Sequence, residues 1–290
     1  MKIKDFTITG YEFGIKKFNT EIKSDLQKEE IDQKLVENIE ELAVMQDMLY
    51  AQDKYGVLVV IQAMDTSGKD GIIKHVMSGL NPQATQVHPF KQPTAEELDH
   101  TWLWKAHKLA PQRGCISIFN RSYYEEVLVV KVHDLVSKQR IPEDCLPHPK
   151  EKDEIWIERY KDMCHFEDHL QRNGIEVIKL FLHISKDEQK RRLLERIDDK
   201  SKNWKFSDAD LKERAYWDNY MNAYQDMINN TSTPGSPWYV IPSDKKKLSR
   251  LLVSDILIKR LKDLNLTYPV LPKDKADMLS TYKEQLLNEK

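Results

Sequence analysis

Lys69 follows Gly68 inside the stretch Ile61–Gly71, IQAMDTSGKDG. That pair ends the phosphate-binding pattern G-x-x-x-x-G-K-[ST], in which backbone N–H groups cradle phosphates, the lysine reaches them and the hydroxyl holds Mg2+. Two positions depart from the pattern: Ala63 stands at the first Gly and Asp70 at the Ser/Thr. Asp65 lies inside the loop, where a carboxylate repels a phosphate ligand unless a metal ion sits between them. It reads as a metal-linked or nucleophile-orienting carboxylate, with a plain turn residue as the alternative. The expected phosphate cradle is Thr66, Ser67, Gly68, Lys69, Asp70 and Gly71, with Lys74 on the helix beyond.

A second group is FNRSYYEE, Phe119 to Glu126. An apolar strand ending in Asp is the usual metal site opposite such a loop; here the position is Asn120, which carries no charge. Arg121 follows at the carboxyl edge of the strand, where ligands sit in open α/β sheets. A surface Arg at a strand end is an equal reading of that residue alone. Glu125 and Glu126 could restore the missing negative charge, although each taken singly reads as a solvated helical face.

The third group runs from Glu188 to Tyr220 and is rich in bases: Arg191, Arg192, Arg196, Lys200, Lys202, Lys205, Lys212 and Arg214. Arg192 and Arg196 are four apart and share a helix face. Charge runs are usually solvated faces, but a basic helical hairpin after a late strand is also where a phosphate-gripping lid belongs. Trp217, Tyr220 and Tyr224 step by three and four residues and read as core. The nine His have no metal-ligand spacing, and Ser67 and Ser122 lack a G-x-S-x-G elbow.

The elements that must position these residues are legible as alternating patterns. Apolar residues at helical steps mark a helix over Glu29–Asp53 after an irregular arm. VLVVIQAM is a short β-branched run that reads as a strand buried on both faces, and Gly71–Met77 is the helix leaving the loop. Further strands are expected at Thr85–His88, CISIF, IEVIKLFLHIS and PWYVIP. Helices are expected at Thr94–Leu109, Glu151–Arg172, 186–198, 207–229 and Asp244–Leu264, with a Pro-rich loop over 141–149. Strand–helix alternation implies an α/β fold, a doubly wound parallel sheet flanked by helices. One domain is expected over 1–290, with an arm and helix at 1–54, a core of 55–185 and 230–265, a lid insertion at 186–229 and a tail at 266–290.

Composition excludes several classes. The chain is 40% hydrophobic and 32% charged, and 45 Lys plus Arg against 47 Asp plus Glu give a net charge of −2. Nothing in that balance points to nucleic acid or a membrane surface, so polyanion affinity must come from local clusters. Three unpaired cysteines suit a reducing compartment, and no stretch approaches the ~18 apolar residues of a membrane span. A cytoplasmic protein is expected, and the apolar positions of the N-terminal helix suggest a homo-oligomer.

Three segments together, QAMDTSGKDGIIKHVMSGLNP, FNRSYYEEVLVVKVH and KNWKFSDADLKERAYWDNY, resemble polyphosphate kinase family 2. The resemblance spans most of the chain, and the Asn of FNRS followed by Tyr-Tyr-Glu-Glu is most similar to its class III. It implies a P-loop kinase-like fold with a loop similar to GxDxxGKxG, in which Asp70 is an ordinary occupant. It further implies an Mg2+-dependent transfer of the terminal phosphoryl group of inorganic polyphosphate to AMP and ADP, giving ADP and ATP, with guanine nucleotides left open. Catalytic roles are implied for Asp65, Lys69, Asn120, Arg121 and Arg192, and metal contacts for Asp65, Asn120 and Glu126. Phosphate or nucleotide contacts are implied for Lys131, Arg191, Arg196, Lys205 and Asp210 besides the loop. Competing expectations are an ATP-dependent nucleoside monophosphate kinase and a non-catalytic polyanion-binding P-loop protein.

Overall fold

Alternating apolar strands and amphipathic helices build the sheet that the sequence implies. The structure, a computed structural model, describes residues 1–148 and 151–289, so Pro149 of the expected loop and Lys290 of the tail lie outside the described residues. Six strands are present: β1 (Thr7–Ile8), β2 (Gly56–Ala63), β3 (Thr85–Pro89), β4 (Ile116–Asn120), β5 (Ile175–His183) and β6 (Trp238–Pro242). Their order is β1-β6-β5-β2-β4-β3. All pairings are parallel except β1 with β6. The chain leaves β2 for the edge at β3, returns to β4, then crosses to β5 on the other side of β2. The carboxyl end of β2 is therefore the switch point of the sheet, where open α/β sheets bind ligands.

Every residue of β2 is buried, and its side chains alternate between two cores. Val57, Val59 and Ile61 face α1 (Lys28–Gln52), α2 (Lys69–Val76) and α10 (Lys246–Asp263), together with Leu42, Ile72 and Leu252. Leu58 and Val60 face an aromatic core that includes Phe119, Tyr123, Phe166, Tyr224 and Trp238. That second core is closed by α6 (Glu154–Arg172) and α9 (Trp217–Thr231). Burying a large apolar side chain is worth ~1.5–3 kcal/mol, so the two layers pin β2 from both faces.

Several expectations are corrected here. The N-terminal arm is anchored: β1 extends the sheet, Phe13 and Ile15 are buried, and their backbone N–H groups donate to Asn229 Oδ1 (2.8 Å) and Gln225 Oε1 (3.0 Å). Two-residue strands carry no readable periodicity. The single helix expected over Thr94–Leu109 is two, α3 (Ala95–Leu98) and α4 (Trp104–Lys108), because the break turns Trp102 and Leu103 toward the aromatic core. The stretch 186–229 divides as well. Here α7 (Lys186–Asp198) and α8 (Asp208–Ala215) form the hairpin, whereas α9 buries Trp217, Tyr220, Tyr224 and Met227 as core. The tail forms α11 (Lys273–Leu287), which buries no residue. Among the described residues, no helix is long and apolar enough to cross a membrane.

Candidate active site

The loop between β2 and α2 turns by two left-handed residues, Thr66 (φ 65°) and Gly68 (φ 111°). Ala63, at the position of the pattern's first Gly, is instead the last residue of β2. A side chain there is ordinary strand geometry, which explains why the departure is tolerated. The first-turn N–H groups of α2 have no intrahelical acceptor and, with the helix dipole, face the loop. Lys69 folds back, its Nζ donating to Ala63 O (2.9 Å) and Met64 O (3.3 Å). Burial, with the Arg121 charge beside it, pulls its amine down to about 8 against the opposing pull of Asp65, Glu125 and Asp70. Thr66 Oγ1 and Ser67 Oγ are enclosed without a hydrogen-bond partner among the described residues. The cradle thus fits a ligand that supplies oxygen acceptors, as a phosphate does.

Arg121 is the other half of the centre. Its backbone is left-handed (φ 62°), an uncommon conformation for a side chain of this size. Its N–H donates to Ile61 O (3.0 Å), which fixes the strand end beside the loop. The turned backbone sends the guanidinium to Asp65 Oδ1 (2.7 Å) and Glu125 Oε2 (3.2 Å). Glu125, followed by Asp65, raises the Arg121 pKa further, so the cation is permanent. Burial pushes the Glu125 carboxyl upward, opposed by Arg121 and Lys69. The Gln62 amide is satisfied when Nε2 donates to Glu125 Oε1 (2.9 Å) and its oxygen accepts from Ser122. Asn120 Nδ2 donates to Asp70 Oδ1 (3.1 Å), so the strand-end amide joins the loop to β4.

Asp65, Lys69, Asn120, Arg121 and the loop residues are therefore together, as expected. Glu126 is not with them. It pairs with the buried Arg159 (3.3 Å) and accepts from Gln139, while Glu125 takes the place beside Arg121. The segment Tyr123–Val127 is a 3₁₀ helix, whose tighter winding turns the two acids apart. A metal set of Asp65, Asn120 and Glu126 is accordingly not assembled. Among the described residues, no three His, Cys, Asp or Glu side chains form a preformed metal cage.

Arg192 is also elsewhere than expected. It is buried behind the loop, its guanidinium donating to the carbonyls of Thr66 (2.9 Å), Ser67 (3.1 Å), Ser243 (2.6 Å) and Asp244 (3.2 Å), and its Nε to Glu188 (2.7 Å). With its donors taken by these acceptors, it clamps the cradle from outside. Arg191 is exposed and paired with Glu188 and Glu195. Arg196 alone of the three faces α8, 3.6 Å from Asp210. Burial raises the Asp210 carboxyl, and the Asp65 charge is felt there too. Lys131 is pinned by Asp226 (2.8 Å), Lys205 lies over the exposed Trp204 ring, and Lys74 is exposed on α2. Arg192→Ala should destabilise the fold by about 3–5 kcal/mol, as loss of a buried charged partner does, and activity should fall with it. Arg196→Ala should lower turnover at unchanged melting temperature, and Lys202→Ala, whose amine merely pairs with Asp199, should do neither. Thermal melts and initial rates on the three variants check this; equal melting temperatures for Arg192→Ala and wild type would refute the clamp.

Two bases escaped the sequence reading. Arg250 Nη2 lies 3.4 Å from where a Cβ on Gly71 would stand. Burial and the Arg192 charge depress both Arg250 and Lys246, and burial with Arg250 and Lys74 depresses His75. Partly buried cations near the outer side of the loop suit a polyanion. They come from α10, far along the chain, and no local motif marks them. On the opposite side a cavity of ≈ 1440 Å³ opens against Arg121 and Glu125, lined also by Trp102, Glu126, His133 and Gln139. Glu213 of α8 reaches His133 (2.9 Å), closing the cavity's edge, while Gln189 of α7 donates to Asp65 O (3.1 Å).

Phosphoryl transfer asks a protein mainly for positioning and charge neutralisation, and both converge at the end of β2. Sheet order and loop together define a P-loop kinase-like phosphotransferase. The family model for polyphosphate kinase 2 (PPK2) matches residues 25–268. The chain is 42% identical over 290 residues to an ADP-polyphosphate phosphotransferase of Rhodopseudomonas palustris, covering 99% of each. It is 45% identical over 228 residues to an AMP/ADP-polyphosphate phosphotransferase of Meiothermus ruber, covering 79% of this chain and 80% of the relative. The crystal structure of polyphosphate kinase 2 from Arthrobacter aurescens superposes with a TM-score of 0.87 at 34% identity, over 99% of this chain and 96% of that one. The chain belongs to the polyphosphate kinase 2 family.

Proposed function

We propose that this enzyme moves the terminal phosphoryl group of inorganic polyphosphate to AMP and to ADP, giving ADP and ATP. The observation that carries the reading is the convergence of Lys69, Asp65 and the Arg121–Glu125 pair at one loop, with a row of cations on one side and a large cavity on the other. Polyphosphate would lie along Lys74, Lys246 and Arg250, and the nucleotide would enter the cavity. The acceptor phosphate oxygen attacks the terminal phosphorus as the P–O bond to the chain breaks. Lys69 and the N–H groups of the loop neutralise the equatorial oxygens, and Arg121 holds Asp65 in place. Mg2+ fits the hard oxygen donors here, since it is usually bound by one or two carboxylates together with substrate phosphates. Asp65 would hold it, with Asn120 and Glu125 beside it, and when bound it would supply charge neutralisation between carboxylate and phosphate. Exposed Val36, Val44 and Tyr50 on α1 are in keeping with a homo-oligomer.

Incubation with Mg2+, polyphosphate and either AMP or ADP, followed by nucleotide separation, tests the proposal. ADP from AMP, and ATP from ADP, are the expected products. Turnover with ATP as the sole effective donor would favour a nucleoside monophosphate kinase, and none with any donor a binding protein. Protein that makes ATP from ADP but never ADP from AMP would reject the dual acceptor. A pH series adds a second test. With the free Lys69 amine near 8, its cation is present below that pH and lost above it. Accordingly kcat/KM for polyphosphate, which reports the free enzyme, should fall as pH rises through about 8. A flat profile between pH 7 and pH 9 would contradict the assigned role of the amine.

A further inference from the structure

Beneath the centre lies a charge network that the transfer itself does not use. Lys179 is fully buried in β5 and pairs in register with Val60 of β2, on the face that also carries Val177 and Phe181. Its Nζ donates to Glu167 Oε2 (2.7 Å), Thr231 O (2.6 Å) and Tyr124 Oη (3.3 Å). Glu167, buried on α6, accepts at Oε1 from Tyr123 Oη (2.7 Å) and Tyr124 Oη (2.5 Å), and at Oε2 also from Ser236 Oγ (3.0 Å). Replacing a buried ion pair with apolar side chains of similar volume is often neutral or stabilising. Stability alone therefore gives no reason for this pair.

What the network holds is the turn that builds the active centre. Tyr123 and Tyr124 open the 3₁₀ helix whose next residue is Glu125, and Glu125 clamps Arg121 against Asp65. An ionised carboxylate only accepts, so both hydroxyls must donate to it and both rings are fixed. Lys179 pairs with that carboxylate within the apolar core. Tyr224 packs in the same aromatic core as Tyr123 and Tyr124.

We propose that Glu167 is a positioning residue for phosphoryl transfer: through the Tyr123 and Tyr124 hydroxyls it sets where Glu125, and with it Arg121, stands against Asp65. The proposal rests on the functional reading above. A misplacement of ~1 Å can cost ~10²-fold in rate, so a loosened turn is expected to lower kcat and leave KM little changed. The test uses Tyr124→Phe, which keeps the ring, Glu167→Gln, and the double variant Glu167→Gln/Lys179→Met, which removes both charges. Initial rates with ADP and polyphosphate are measured beside thermal melts.

Tyr124→Phe and the double variant should each lose about 10-fold or more in kcat, while the double variant melts above Glu167→Gln alone. Glu125→Gln should cost less in the Tyr124→Phe background than in wild type, because the two act through one turn. Recovery of kcat in step with melting temperature in the double variant would overturn the proposal, as would wild-type kcat in folded Tyr124→Phe or strict additivity with Glu125→Gln. Should Glu167→Gln fail to fold, Tyr124→Phe and its cycle with Glu125→Gln still decide. Absence of polyphosphate turnover in wild type would reject the functional reading itself, whereas wild-type turnover with unaffected variants rejects the positioning role alone.

Discussion

Lys69→Ala is expected to lower polyphosphate-driven turnover by about 10²–10³-fold, the usual cost of removing one preorganised contact to charge developing in a transition state. Lys69 is the cation at the centre of the loop, and its amine is held by the loop carbonyls of Ala63 and Met64. Those neutral acceptors leave its charge available to a phosphate. Its enclosure adds to the effect, since fixed charges in a water-poor site act more strongly than exposed ones. Stability should not suffer: the variant removes a burial-depressed amine and leaves Gly68 and the left-handed turn as they are. Melting curves and initial rates with ADP and with AMP check both halves of the statement. Wild-type rates in a folded Lys69→Ala variant would remove the loop from the mechanism.

Asp65→Asn should be comparably damaging, by at least about 10²-fold, for a different reason. The carboxylate holds Arg121 at 2.7 Å, and under the proposed function it would also offer negative charge where phosphates gather. An amide keeps the shape and an acceptor for Arg121 but loses the charge that strengthens the one and supplies the other. Hard-cation affinity falls when a ligand's charge is removed, so the Mg2+ concentration required for half-maximal rate should rise in Asp65→Asn and not in Lys69→Ala. Titrating Mg2+ at saturating polyphosphate separates the two variants. An unchanged Mg2+ dependence would leave Asp65 as an anchor for Arg121 alone. Arg121 makes a second contact with Glu125, and this should keep the strand end folded in the variant.

The particular residues show where local sequence is sufficient. Loop, strand and helix are contiguous in IQAMDTSGKDGIIKHV, so one short window carries the apolar run, the Gly-Lys pair and the helical pattern together. Asn120 and Arg121 were legible for the same reason, at the end of an apolar strand. The parallel sheet followed from strands separated by helices, because parallel neighbours need crossovers. The departure at Asp70 is readable as tolerated only through the family resemblance, from whose loop Ala63 still departs; the backbone supplies the reason for Ala63, which is strand and not turn.

Tertiary structure decided the rest, in each case because the deciding contact is distant in the chain or hangs on helical phase. Glu125 and Glu126 are adjacent and chemically alike, and the winding of a 3₁₀ turn sends the first to Arg121 and the second to Arg159. Arg192 and Arg196 share a face of α7, yet depth along the helix makes one a buried clamp on loop carbonyls and the other a partner of Asp210. Arg250 reaches Gly71 from α10 because that helix packs beside α2, and Lys246 on the same helix lies within reach of the Arg192 charge. Lys179 is a charged residue within an apolar strand, and the packing of α6 and the Tyr123–Tyr124 turn gives it its partners. What the sequence by itself determined was the chemistry, through residue types held at short spacing; which charges face the ligand and which hold the backbone was left to the fold, since side chains distant in sequence compete for the same enclosed space.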